Sequence, residues 1–153
     1  MKMKSLKIKN YLVTPLANWL TGQALPGKQS RARNRFVKVL SPRVQEIDEN
    51  RREIAKTYAK KDKKGEVVVE KDKENPNIER YVIEDQNKFK EEMTEFLNEE
   101  FVIDITPSNT KDIQDVKDVV LLTNQEFKDD PNTGEFLATY YDEWCSAFEA
   151  LDK

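Results

Sequence analysis

The chain has no histidine and only one cysteine, Cys145. Lack of imidazole removes the commonest general base and zinc ligand, and with them the serine, histidine and aspartate arrangement of many hydrolases. A lone thiol makes neither an internal disulfide nor a structural zinc site, and it agrees with a reducing compartment. No base accompanies Cys145 beside Trp144, so it reads as a small core or boundary residue rather than a nucleophile. Long apolar runs are missing too. Nothing approaches the roughly 20 apolar residues of a membrane span, and Lys2, Lys4, Lys7 and Lys9 are not followed by the apolar block of a secretion signal. The expectation is a cytoplasmic protein with no membrane partner. The 29 acidic residues produce carboxylate pairs by chance, and nothing singles one pair out. No enzyme, cofactor or metal is expected.

What the chain does have is charge, at 36% of 153 residues against 37% apolar. That length suits one domain, residues 1–153, and the composition suits a thin core in a helix-rich body. The net charge of −3 conceals a split. Up to Lys64 there are 17 Lys and Arg against 5 Asp and Glu, and from Gly65 onward 9 against 24. Such halves can attract each other in one fold, present a basic face to nucleic acid or an acidic partner, or imitate nucleic acid. The first use is the simplest.

The organising stretch is Lys28 to Asp62. Val37, Leu40, Val44, Ile47, Ile54 and Tyr58 recur three or four residues apart, with Arg51 in the seventh place of the series. This predicts a helix of roughly 50 Å at about 1.5 Å per residue, kinked or restarted at Pro42. The cations Lys60 to Lys64, followed by Gly65, are expected to close it. Asp48 with Arg52, and Glu53 with Lys56, are spaced as charge pairs on its outer face.

Before this helix, Lys4–Asn10 alternates as a strand, and Thr14 with Pro15 reads as a helix start. Gly22 to Lys28 matches the spacing of a phosphate-binding loop up to its last residue, where Gln29 replaces the required Ser or Thr. The preceding segment reads as helix and the chain has too few apolar runs for a parallel sheet, so an ordinary Pro-Gly turn is preferred. Arg31, Arg33, Arg35 and Lys38 follow, with 31, 35 and 38 on one helical face. They are the candidate interaction residues. Phosphate contact is one use for them; a plain solvated face, or pairing with the acidic half, is favoured because no aromatics interleave to stack bases and no reading motif is present.

Further along, Val67–Val69 and Tyr81–Ile83 predict a hairpin with a long loop around Asn75 and Pro76. A helix from Asp85 carries Phe89, Met93, Phe96 and Leu97, then Phe101–Ile105 forms a strand. Thr110 is placed as the cap of a helix bearing Ile113, Val116 and Val120. Asp130 to Gly134 is a turn rather than a calcium loop, since Tyr141 stands where a bidentate glutamate belongs. The last helix, Glu135 to Leu151, aligns Leu137, Tyr141, Trp144, Phe148 and Leu151 on an acidic body. The fold class is therefore α+β and helix-dominated, with the long kinked helix and the C-terminal helix packed together beside a small, mostly antiparallel sheet.

Five stretches carry a resemblance across nearly the whole chain. They are Lys-Ile-Lys-Asn at 7–10, Gly-Lys-Gln-Ser-Arg-Ala-Arg-Asn-Arg-Phe at 27–36, Tyr-Ala-Lys-Lys-Asp ending at Asp62, Phe-Val-Ile-Asp-Ile at 101–105, and Tyr-Asp-Glu-Trp from 141. In these the chain resembles a family of small uncharacterised proteins encoded by tailed phages of Gram-positive bacteria. The resemblance implies phage origin, production in the host cytoplasm and an accessory role, with residues 71–77 a place of variation, and it carries over no activity or site. The expected function is non-enzymatic, through a host or phage protein partner or in particle assembly. Two striped rods are also compatible with a homodimer. The alternative is a nucleic-acid binder using the basic strip.

Overall fold

The computed structural model describes residues 4–153, and it is a helix-dominated α+β protein. In order, the elements are β1 (Ser5–Lys9), α1 (Asn10–Thr21), α2 (Gly27–Thr57), β2 (Val69–Lys71), β3 (Glu79–Tyr81), α3 (Gln86–Leu97), β4 (Glu100–Asp104), α4 (Thr110–Leu121), β5 (Asp129–Asp130), β6 (Glu135–Phe136) and α5 (Leu137–Glu149), which ends in a 3-10 turn, Ala150–Asp152. Three antiparallel strand pairs form: β1 with β4, β2 with β3, and β5 with β6.

The chain gathers into two compact units, the first made of residues up to Val44 with Glu99–Lys153, the second of Gln45–Asn98. Up to Val44 there are ten Lys and Arg and no acidic residue, while Glu99–Lys153 holds four against fourteen. The first unit is thus assembled from a basic and an acidic segment whose charges cancel. One ion pair, Arg35 with Asp112 at 2.7 Å, joins the two segments.

Alternation in β1 places Leu6 and Ile8 inward, opposite Ile103 and Phe101 of β4. They join Leu12, Val13, Leu16 and Leu20 of α1, Ala32, Phe36 and Leu40 of α2, Ile113, Val116 and Val120 of α4, and Trp144 and Phe148 of α5 in one core. α5 packs against α1, α4 and β1, and its Phe148 meets Phe36 of α2 with ring centroids 6.1 Å apart. Trp19, Phe127, Tyr141 and Trp144 form an aromatic cluster, with Phe127 and Tyr141 stacked at 4.3 Å. Lys117 is buried in α4, and its ammonium is matched by Asp152 of the terminal turn.

Several boundaries differ from the sequence reading. α1 starts at Asn10 rather than Thr14, so Pro15 lies inside it. The Asn10 amide continues the β1 ladder by donating to the Glu99 carbonyl, and its buried side-chain oxygen accepts a 2.9 Å bond from Arg43 Nε. α2 runs through Pro42 without restarting. Proline removes only one backbone bond, Pro42 lies on an exposed face, and the Ser41 hydroxyl donates to the Val37 carbonyl at 2.8 Å. α2 also ends at Thr57, short of the lysine cluster. Ala59 and Lys61 are bridged to Ile83 and Val67 instead, and Gly65, at φ 81°, turns a loop tied by Asp62 rather than capping a helix. α4 is preceded by Asn109, not capped by Thr110, because the Asn109 carbonyl already accepts the Ile113 amide at 3.0 Å and makes Thr110 the first helical residue; the Asn109 side chain is turned to the loop, joining the Asp104 carbonyl to the Thr106 amide.

Candidate interaction surfaces

The four candidate cations of α2 separate by function. Arg33 points away from the other three. Its Nη1 donates to the carbonyls of Leu20 at 2.5 Å and Gln23 at 2.9 Å, and its Nη2 to Ser30 Oγ at 3.2 Å. It therefore closes the carboxyl end of α1, where backbone carbonyls lack helical partners and a cation is favoured. Arg33→Ala is expected to cost about 1 to 3 kcal/mol, with Arg33→Lys recovering only part because an ammonium lacks the planar fork. Chemical denaturation of the two variants measures this, with Lys38→Ala as a surface control expected to move stability by at most about 0.5 kcal/mol.

Arg35 forms a two-pronged pair with Asp112 in the first turn of α4, both contacts at 2.7 Å. The guanidinium hydrogen bonds hold the Asp112 carboxyl below its ordinary range. Arg31 and Lys38 are exposed and make no ion pair among the described residues. Arg31 and Arg35 line a shallow, open concavity of about 690 Å³ with Lys28, the final residue of the near-match to a phosphate loop, and with Lys111 and Asp115. The loop itself follows α1, not a strand, so it has the structure of a connector between helices. The basic strip is therefore half consumed by the fold. Arg33 and Arg35 are internal fasteners, while Arg31 and Lys38 face solvent.

Cys145 sits in α5, half-buried, and burial pushes its thiol pKa up, the opposite of what a nucleophile needs. Among the described residues no group of three or more metal-binding side chains comes together, and no helix is long and apolar enough to cross a membrane.

A second surface, absent from the sequence reading, lies within the second unit. That unit buries only Ile47, Ile54 and Ala59, and α3 buries no residue at all. Asp85 starts α3 by accepting the Lys88 amide at 3.0 Å, so the helix is well formed although its apolar stripe is not enclosed. Between α3, the β2–β3 hairpin and the later part of α2 an open groove of about 610 Å³ remains. Ala55, Val69, Tyr81, Ile83, Phe89 and Met93 make its apolar lining, and Arg51, Arg52, Arg80 and Glu79 its charged part. Val69 is 44% exposed. Arg80 is held by Asp72 at 2.7 Å, whereas Arg51 and Arg52 have no hydrogen-bond or ion-pair partner among the described residues. The spacing of Asp48 and Arg52 on one helix face does not mature into an ion pair.

No protein-family model, curated protein or solved structure matches the chain.

Proposed function

We propose that this protein is a non-enzymatic accessory factor that works by binding another protein, and that the groove of the second unit is its contact surface. The observation that carries the reading is an apolar lining left open in a unit that encloses only three side chains. Uncovered apolar surface in so small a unit is costly unless a partner completes it. The resemblance to tailed-phage proteins adds the setting: the host cytoplasm, with a host or phage protein as partner in host modulation or particle assembly. A second copy of the chain is the homomeric form of the same idea.

The rival reading, nucleic-acid binding, rests on Lys28, Arg31 and Lys38 at the head of α2, which remain exposed. It is weakened because Arg33 and Arg35 are already engaged. One experiment separates the two. Co-purification of partners from host lysate is compared for the native chain and Val69→Glu, alongside a salt titration against random DNA and RNA. The expected result is a stoichiometric protein partner lost in Val69→Glu and no nucleic-acid binding at low salt. Steeply salt-dependent nucleic-acid binding with no effect of Val69→Glu would reverse the assignment.

A further inference from the structure

The groove has a chemistry that selects its occupant, and we infer that it takes an acidic amphipathic helix of the partner protein. This rests on the groove being the contact surface, as proposed above, and adds what it recognises. The groove lining carries Arg51, Arg52 and Arg80 against the single carboxylate of Glu79. The unit that holds it has the opposite balance, with twelve Lys and Arg against fifteen Asp and Glu in Gln45–Asn98. Positive charge is thus concentrated at the apolar opening of an otherwise acidic body. Two of the guanidiniums are uncommitted, since only Arg80 has an ion partner within the unit. An approaching carboxylate meets them without having to displace an internal partner, so charge-assisted bonds form with no internal bond lost, and they act mainly on selection between partners.

The shape of the lining favours a helix. Arg51 and Ala55 are one turn apart on α2, and Phe89 and Met93 one turn apart on α3, so two rows at helical spacing border the opening. Rows of this spacing accept the ridges of a third helix. Apolar side chains at every third or fourth position of the incoming helix cover Ile83, Phe89 and Met93, while its carboxylates reach Arg51 and Arg52. Methionine and phenylalanine tolerate varied apolar anchors, so charge sets the selection.

The test uses the full chain and three labelled synthetic peptides of equal length. One is helical with leucines at i, i+3, i+4 and i+7 and glutamates elsewhere, one has lysine for every glutamate, and one has serine for every leucine. Fluorescence anisotropy is expected to show the acidic peptide binding at least about tenfold more tightly than either control. Arg51→Glu with Arg52→Glu is expected to remove that preference, and Arg51→Lys with Arg52→Lys to keep most of it. These positions are exposed on α2, and circular dichroism checks that the helix content is unchanged. Equal binding of the lysine peptide, or indifference to charge reversal, would overturn the inference. Failure of every peptide to bind would overturn it too. The groove itself is judged separately, by whether Val69→Glu loses the co-purified partner.

Discussion

Trp144→Ala is expected to lower the unfolding free energy by about 3 to 5 kcal/mol, the usual range for deleting a buried large aromatic. Trp144 is 1% exposed at the centre of α5. Its ring lies 5.7 Å from Trp19 and 6.5 Å from Tyr141, and its indole nitrogen donates to the Leu12 carbonyl at 3.2 Å. That carbonyl belongs to α1, so the bond ties two helices that also share apolar contact. Alanine removes the ring, the bond and part of the support for Tyr141, whose hydroxyl donates to the Val120 carbonyl at 2.7 Å. Burial pushes the Tyr141 pKa up to about 12, as expected for a phenol enclosed and kept neutral. Trp144→Phe keeps most of the volume and loses the donor, so a cost of about 1 to 2 kcal/mol is expected. Guanidinium unfolding gives both values, and the near-ultraviolet dichroism of the cluster should fall sharply in the alanine variant. A loss under about 1 kcal/mol in Trp144→Ala would mean that α5 is not integral to the first unit.

The elements were legible where local chemistry decides them. Alternating Leu6 and Ile8 announced β1, Asp85 announced α3, and Gly134, at φ 75° with its amide bonded to the Asp130 carbonyl, made the turn expected after Asp130. They were misread where a distant partner decides. Asn10 starts α1 because Glu99 and Arg43 hold it, which no window around Thr14 contains. α2 stops at Thr57 because Ala59 finds Ile83, against a lysine cluster that suits a helix end equally well. In α2 the stripe holds at Leu40, Ile47 and Ile54, all buried, and slips only at its start, where Phe36 is 2% exposed and Val37 is only half-buried. Among the candidate cations, spacing could not say that Asp112 would claim Arg35 or that α1 would end against Arg33. The groove was hidden for a different reason. The stripe of Phe89, Met93, Phe96 and Leu97 is the same whether a neighbour covers it or not. A signal was nonetheless present, since Arg51 interrupts the apolar series of α2, and that arginine now borders the groove.

Phe36→Ala and Phe148→Ala are expected to be less damaging together than their separate costs suggest. Each ring is buried, Phe36 at 2% and Phe148 at 0% exposure, so each single change should cost about 3 to 5 kcal/mol. The rings meet at 6.1 Å with planes inclined by 47°, a tilted arrangement that adds about 0.5 to 1.5 kcal/mol beyond the area they bury. Removing either one already forfeits that contact and leaves a void its neighbour borders, so the second removal loses less. The coupling from a double-mutant cycle should therefore fall near 1 kcal/mol. The number matters because Phe36 lies on the basic segment before Val44 and Phe148 on the acidic segment after Glu99. Charge draws these segments together over a distance that salt can screen, but a shared aromatic contact is short-ranged and indifferent to salt. The coupling should accordingly persist at high ionic strength, while any contribution from Arg35 and its exposed guanidinium fades. Additivity of the two alanine changes within about 0.3 kcal/mol would show instead that α2 and α5 stabilise the first unit independently.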